Sequence, residues 1–116
     1  MYYYELKLKQ GEEYHIQTAC VKWFRLQYPE YLIWNTPNEA TYRNKGYFGN
    51  LGVLTGVSDL IVALPNHILF IEMKSKTGRQ SLEQKQFQQK VESLGFEYYL
   101  VRSFDEFHNL IKSNLK

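Results

Sequence analysis

Two apolar runs, Leu60 to Leu64 and Ile68 to Met73, lie back to back with only Pro65-Asn66-His67 between them. Runs of this length bounded by a turn dipeptide read as the two strands of a β-hairpin. Neither run alternates cleanly between apolar and polar residues, so both faces of the hairpin need cover. That places it centrally in a sheet with helices on either side. The most consequential detail is where acids interrupt this pattern. Asp59 immediately precedes the first strand and Glu72 lies near the end of the second. Charges ending buried strands do nothing for stability and call for another reason.

The rest of the chain supplies the layers. Tyr2 to Lys9 alternates and is expected to form an additional N-terminal strand within residues 1–11. From Glu12 the period changes, and Ile16, Ala19, Cys20, Trp23 and Phe24 fall on one helical stripe that Pro29 ends. Tyr31 to Trp34 is expected to form a short strand. A long loop from Asn35 to Thr55, with Pro37, Gly46, Gly49 and Gly52, follows it. Ser81-Leu82-Glu83-Gln84 has capping-box spacing and opens a helix burying Phe87, Val91 and Leu94, with Gly95 just past its end. Phe96 to Val101 reads as a strand. Ser103 and Glu106 form a second capping box, before a helix burying Phe104, Phe107, Leu110 and Ile111. The order (β)αβ-loop-ββαβα predicts one α/β domain over residues 1–116, a mixed sheet flanked by helices.

Composition narrows the class. The 116 residues are 44% hydrophobic, with ten Tyr and seven Phe, as in one aromatic-rich globular domain. A net charge of +2 excludes a histone-like polycation but not a local basic groove. No run approaches the roughly 18 apolar residues of a membrane span, and the N-terminus lacks the pattern of a secretory signal. Cys20, the single cysteine, supports neither an internal disulfide nor a cysteine zinc site and fits the inner helix stripe. His15, His67 and His108 share no metal spacing and are expected at the surface. A soluble protein of a reducing, cytoplasmic compartment is expected, with no membrane partner and no small-molecule cofactor.

The hairpin fixes the geometry of the acids. An even loop centred on Pro65-Asn66, taken as four residues, pairs Ala63 with Ile68 and sets Asp59 opposite Glu72. Opposed residues share a sheet face with Cβ atoms ~4.5–5.5 Å apart. Two like charges at ~4 Å repel by about 1 kcal/mol in water and about 4 kcal/mol at a partly buried site. A divalent cation reverses the sign, and carboxylate oxygens suit Mg²⁺ or Mn²⁺. Lys74, two residues beyond Glu72, shares its face. There an ammonium can orient a water and offset transition-state charge in phosphodiester hydrolysis.

Gly56-x-Ser58-Asp59 followed by Ile71-Glu72-Met73-Lys74 resembles the PD-(D/E)XK nuclease superfamily. Gly78-Arg79-Gln80-Ser81-x2-Gln84 and the helix start Glu13-x2-Ile16-Gln17 narrow the resemblance to the VRR-NUC family, in its short standalone phage and bacterial form. The likeness extends over roughly Glu12 to Ile111. It implies a restriction-endonuclease-like core and a nuclease using Mg²⁺ or Mn²⁺, with Asp59, Glu72 and the Met73 carbonyl as ligands and Lys74 as the catalytic lysine. Glu13 would help place the metal or its water, with Glu12 as the substitute if the alignment shifts by one. Gln84 either approaches the site or only closes its cap with Ser81. Ser58 stands where the family usually has Pro, a residue that shapes the backbone and ligates nothing.

Arg43, Lys45, Lys76 and Arg79, with Lys85 nearby, are the candidate nucleic-acid contacts, and Tyr42, Tyr47 and Phe48 the candidate base-stacking groups. Without helix-turn-helix or zinc-finger spacing, recognition by shape or branching is favoured over sequence readout. Resemblance to junction resolvases implies a homodimer acting on branched DNA, four-way junctions included, with Tyr2, Tyr4, Trp23 and Trp34 as candidate contacts. The competing readings are a restriction-type or nicking duplex endonuclease, a non-catalytic nucleic-acid-binding module, and a phage interaction protein whose acids meet a partner.

Overall fold

The computed structural model describes residues 2–36, 50–52 and 54–116. Its elements, in chain order, are helix α1 (Tyr2–Gln27), strands β1 (Leu32–Asn35), β2 (Leu60–Leu64) and β3 (His67–Met73), helix α2 (Leu82–Ser93), strand β4 (Glu97–Val101) and helix α3 (Phe104–Asn114). The four strands form one sheet in the order β1-β2-β3-β4. The first three are antiparallel and β4 runs parallel to β3, with α2 as the crossover. The mixed sheet with flanking helices is the expected architecture.

The N-terminal strand is not formed. Residues 2–27 are helical, with a break at Gly11, whose φ of +43° lies outside helical values. Eight residues of alternation carry little weight when Glu, Leu and Lys among them are strong helix formers. Beyond the break, the stripe follows its spacing except at Ala19, which is exposed. Cys20 and Phe24 are fully buried, while Ile16 and Trp23 pack at the edge of the same cluster. Burial pushes the Cys20 thiol up to about 12, which keeps it an apolar core group at neutral pH. No helix among the described residues is long and apolar enough to cross a membrane.

The sheet faces divide the labour. Leu60, Val62 and Leu64 on β2, with Leu69, Ile71 and Met73 on β3, point into the core beneath α1 and α3, against Phe24, Phe107 and Ile111. On the other face Phe70 meets Phe87 of α2, and Phe87 meets Tyr98 of β4. The hairpin register is the expected one, with Ala63 opposite Ile68. Pairing continues to Leu64 and His67, so the loop is two residues rather than four. Asn66 takes φ +57°, and Pro65 before it suits the first corner of a type II turn. Both loops are even, so the strand ends keep their relation.

The remaining caps follow the sequence. Ser81 and Gln84 make both hydrogen bonds of the capping box. Gly95 and Phe96 donate to the Glu92 and Val91 carbonyls, a Schellman ending for α2. At α3 the Ser103 hydroxyl caps as expected, but Glu106 reaches one residue further back, to the Arg102 N–H. Leu94, expected on the inner face of α2, is 68% exposed beyond its last turn. Two histidines are less superficial than their lack of spacing suggested. His67 is tied to Glu97 and Asn114, and His108 lies half-buried against Trp23. Trp23 packs on Phe104 and Phe107, so it is a core aromatic rather than an exposed contact. The side chains of Tyr2 and Tyr4 fall outside the described residues.

Candidate active site

The hairpin carries Asp59 and Glu72 to one end of the sheet. Leu60 pairs with Ile71, so the next step of the antiparallel register sets Asp59 across from Glu72 on the α2 face. Three contacts fix the turn before Asp59. The Thr36 N–H donates to the Asp59 carbonyl at 2.9 Å, and its hydroxyl donates to the Ser58 carbonyl. Ser58, fully buried, turns its hydroxyl to the Leu60 carbonyl at 3.3 Å. Gly56 has φ +80°, and a Cβ there would lie 2.5 Å from the Glu83 carbonyl oxygen. The turn therefore abuts the first turn of α2, at a distance only glycine permits.

Asp59 anchors one oxygen and leaves the other. Its Oδ2 accepts the Met73 N–H at 2.7 Å. Burial pushes the Asp59 carboxyl up to about 6, opposed by the Met73 N–H, reinforced by the Glu72 and Glu13 charges and opposed again by Lys74. Glu72 is fully buried. Its Oε1 accepts from the Tyr98 hydroxyl and from Gln80 Nε2 at 3.3 Å. Its Oε2 is buried without a hydrogen-bond partner among the described residues, with Lys74 Nζ 3.5 Å away. Burial, then the hydrogen bond and charge of Glu72, push the Tyr98 phenol up, so it remains a donor.

An orphaned, buried carboxylate oxygen facing an ammonium and a second acid is costly unless something else binds there. A hard divalent cation fits that donor set. Among the described residues no three His, Cys, Asp or Glu side chains gather at one point. An ion here would take Asp59, Glu72 and a main-chain oxygen such as that of Met73, and keep several waters, as Mg²⁺ usually does. Glu13 reaches the same end of the sheet from the other layer. Its Oε2 lies 3.4 Å from where a Cβ on Gly78 would stand, and its charge is felt at Asp59. It stands behind the pair rather than completing a three-carboxylate ligand set.

The turn after Lys74 is braced from two sides. Arg102 Nη1 donates to the carbonyls of Ser75 at 2.6 Å, Gly78 at 2.8 Å and Lys76 at 3.3 Å. Glu12 accepts the Lys76 N–H at 3.0 Å. Lys76 and Arg79 are exposed on this turn, and Lys85 is exposed in the first turn of α2. Arg43 and Lys45, with Tyr42, Tyr47 and Phe48, lie outside the described residues.

Gln84 has two readings in sequence, and the cap accounts for its side chain: its carboxamide oxygen takes the Ser81 N–H at 2.8 Å. Gln80 is the glutamine that reaches Glu72, and its Nε2 also meets Gln88 Oε1 at 2.9 Å. Tyr98, Gln80 and Arg102 had no weight in the sequence reading. Gln80 stood inside the Gly78-to-Gln84 motif and was the one signal available. Tyr98 is 26 residues from Glu72, and only the β3–β4 pairing connects them.

Comparison with known proteins bears on the fold and the family. A solved structure titled "VRR_NUC domain protein" superposes with a TM-score of 0.68 at 21% identity, covering 88% of this chain and 86% of that one. A second, titled "VRR_NUC domain", gives 0.64 at 21% identity, covering 87% and 95%. At such identity they speak for the fold alone. No curated protein sequence matches. The family profile described as the VRR-NUC domain matches residues 11–105, from the break in α1 to the start of α3. The chain thus belongs to the VRR-NUC domain family, a nuclease-type family.

Proposed function

We propose that this protein is a divalent-metal-dependent, structure-selective DNA endonuclease, with branched DNA, four-way junctions included, as its substrate class and a homodimer as its working form. The observation that carries the reading is the buried Glu72 Oε2, which accepts no hydrogen bond among the described residues and lies between Lys74 and the face that Asp59 shares. Mg²⁺ or Mn²⁺ bound there would supply Lewis acidity toward a phosphoryl oxygen and lower the pKa of a bound water.

The chain's own groups supply the rest. Asp59 and Glu72 are held in fixed orientations by the Met73 N–H and by Tyr98 with Gln80, so little reorganisation is needed on loading. Lys74, held at Glu72, directs its N–H donors at the attacking water and at the charge gathering on the phosphoryl oxygens. In hydrolysis the water oxygen bonds to phosphorus, the bond to one bridging oxygen breaks, and the departing alkoxide takes a proton. Lys76 and Arg79 bear the flanking phosphates. A two-fold pair would present two such sites to strands of opposite polarity.

The test uses wild type and Lys74→Ala with Mg²⁺ or Mn²⁺ on branched and linear DNAs of one sequence. Metal-dependent cleavage of the branched form, lost in the variant with binding largely kept, is the expected result. Equal cleavage by both proteins would remove the assignment. A monomeric mass in light scattering at micromolar concentration would remove the dimer.

A further inference from the structure

A groove of about 560 Å³ runs between α1 and the edge strand β1, apart from the carboxylate pair. Its polar lining is Gln17, Thr18, Lys22, Arg25 and Asn35, and Trp34 stands in its wall, 42% exposed. No acid is among the described residues that line it. Arg25 spends one N–H on the Ile33 carbonyl at 3.1 Å and keeps four of its five donors. Exposed tryptophan, cations and carboxamides without a carboxylate make up the chemistry of a single-strand nucleic-acid groove: a ring for a base, charge for the backbone and amides for base edges.

Both walls of the groove are close in chain or register to residues of the candidate active site. Gln17 stands one helical turn after Glu13 on α1, the same face one step down. Asn35 pairs with Leu60, the neighbour of Asp59, and Thr36 donates to the Asp59 carbonyl. Trp34 pairs with Ile61 and so shares the sheet face of Asp59. Lys22 lies about 14 Å along the helix from Glu13 at ~1.5 Å per residue, so the cations extend away from the site.

We infer that this groove is a single-strand subsite, in which unpaired nucleotides leaving the scissile position stack a base on Trp34 and run their backbone along Lys22 and Arg25. The inference rests on the nuclease reading and deepens it, because an unpaired tail beside the cut is what distinguishes flapped or splayed forms of branched DNA from plain duplex. A second copy of the chain is the other occupant such a face admits. The cationic lining without a balancing acid favours the polyanion.

The test is fluorescence anisotropy of a labelled oligothymidylate of about ten nucleotides, in EDTA so that no hydrolysis intervenes. Trp34→Ala is expected to weaken binding about tenfold or more, and Trp34→Phe to retain most of it. Lys22→Gln is expected to reduce the slope of log affinity against log salt by about 0.7. Both side chains are exposed, so unchanged melting temperatures certify the fold. On a tailed substrate with Mn²⁺, Trp34→Ala should raise KM and leave kcat near wild type. Strand affinity and salt slope equal to wild type in both Trp34→Ala and Lys22→Gln would overturn the inference. So would a fall from dimer to monomer in Trp34→Ala with strand affinity intact. If Lys74→Ala abolishes cleavage while those affinities do not move, the groove alone is refuted. If wild type never cleaves, the nuclease reading fails, and the anisotropy still decides the groove.

Discussion

Strand β3 has an acid, a basic side chain and a tyrosyl hydroxyl at each end, and the two clusters are built differently. At the turn end, Glu97 gives Oε1 to the Tyr99 hydroxyl and Oε2 to His67 Nε2 at 3.0 Å, and His67 also meets Asn114. Both carboxylate oxygens are used, and the ion pair is about a third exposed, at 30% and 39%. At the far end, Glu72 gives Oε1 to Tyr98 and Gln80, while Oε2 is fully buried beside a second acid, accepts no hydrogen bond among the described residues and has Lys74 Nζ at 3.5 Å. The residue types barely differ. What separates a tie between α3 and the sheet from a site poised for chemistry is burial and one oxygen that accepts no hydrogen bond.

The sharpest break between the two ends should be catalytic. Asp59→Asn or Lys74→Ala is expected to lower cleavage by at least about 100-fold, the scale of losing one preorganised electrostatic group. Glu97→Gln should leave it within about two-fold, and a large loss there would erase the distinction. The next effect concerns stability. The folded pKa of Asp59, about 6, lies above its ordinary 3.8, so its charged form is disfavoured in the folded state. That penalty is absent below pH ~4, grows through about 6 and is full above it. Asp59→Asn should therefore stabilise the protein at pH 8, by up to about 3 kcal/mol, and hardly at all at pH 4. Equal changes at both pH values in urea melts would contradict this.

Metal loading should run the opposite way. Mn²⁺ at about 100 times its dissociation constant should stabilise wild type by about 2.7 kcal/mol at pH 8. The gain should fade as the pH falls through about 6, vanish in Asp59→Asn and be reversed by EDTA. A stabilisation that persists in the variant would place the ion elsewhere. The smallest expected effect is at the turn end, where His67→Ala should cost about 0–1 kcal/mol, the scale of an exposed pair. Tyr98→Phe, by contrast, strips a buried charged acceptor of one partner and should cost about 1–3 kcal/mol, while weakening Mn²⁺ binding severalfold.

The contrast also explains what could be read from sequence. The hairpin register, the starts of α2 and α3, and Gly95 are set by neighbours in the chain, and each has a local chemical signature. Asp59, Glu72 and Lys74 were legible for the same reason, since the register carries them together. Tyr98, Gln80 and Arg102 reach the site through the β3–β4 pairing and the turn after Lys74. No spacing rule spans that separation. Tyr2 to Lys9 misled because a short alternating stretch of good helix formers satisfies both periods. Trp23, which sequence offers both to the inner helix stripe and to a dimer contact, and His108, which it offers to the surface, are settled by the packing of α1 against α3.

Position 56 touches neither carboxylate nor the lysine. A methyl group there would nevertheless act as a wedge, prising the start of α2 from the bend that presents Asp59, because the Glu83 carbonyl leaves it no space. Since Gln80 is strung just ahead of that same helix, the opening would spread to the grip on Glu72. The aperture of the whole centre is thus governed by a residue with no side chain at all.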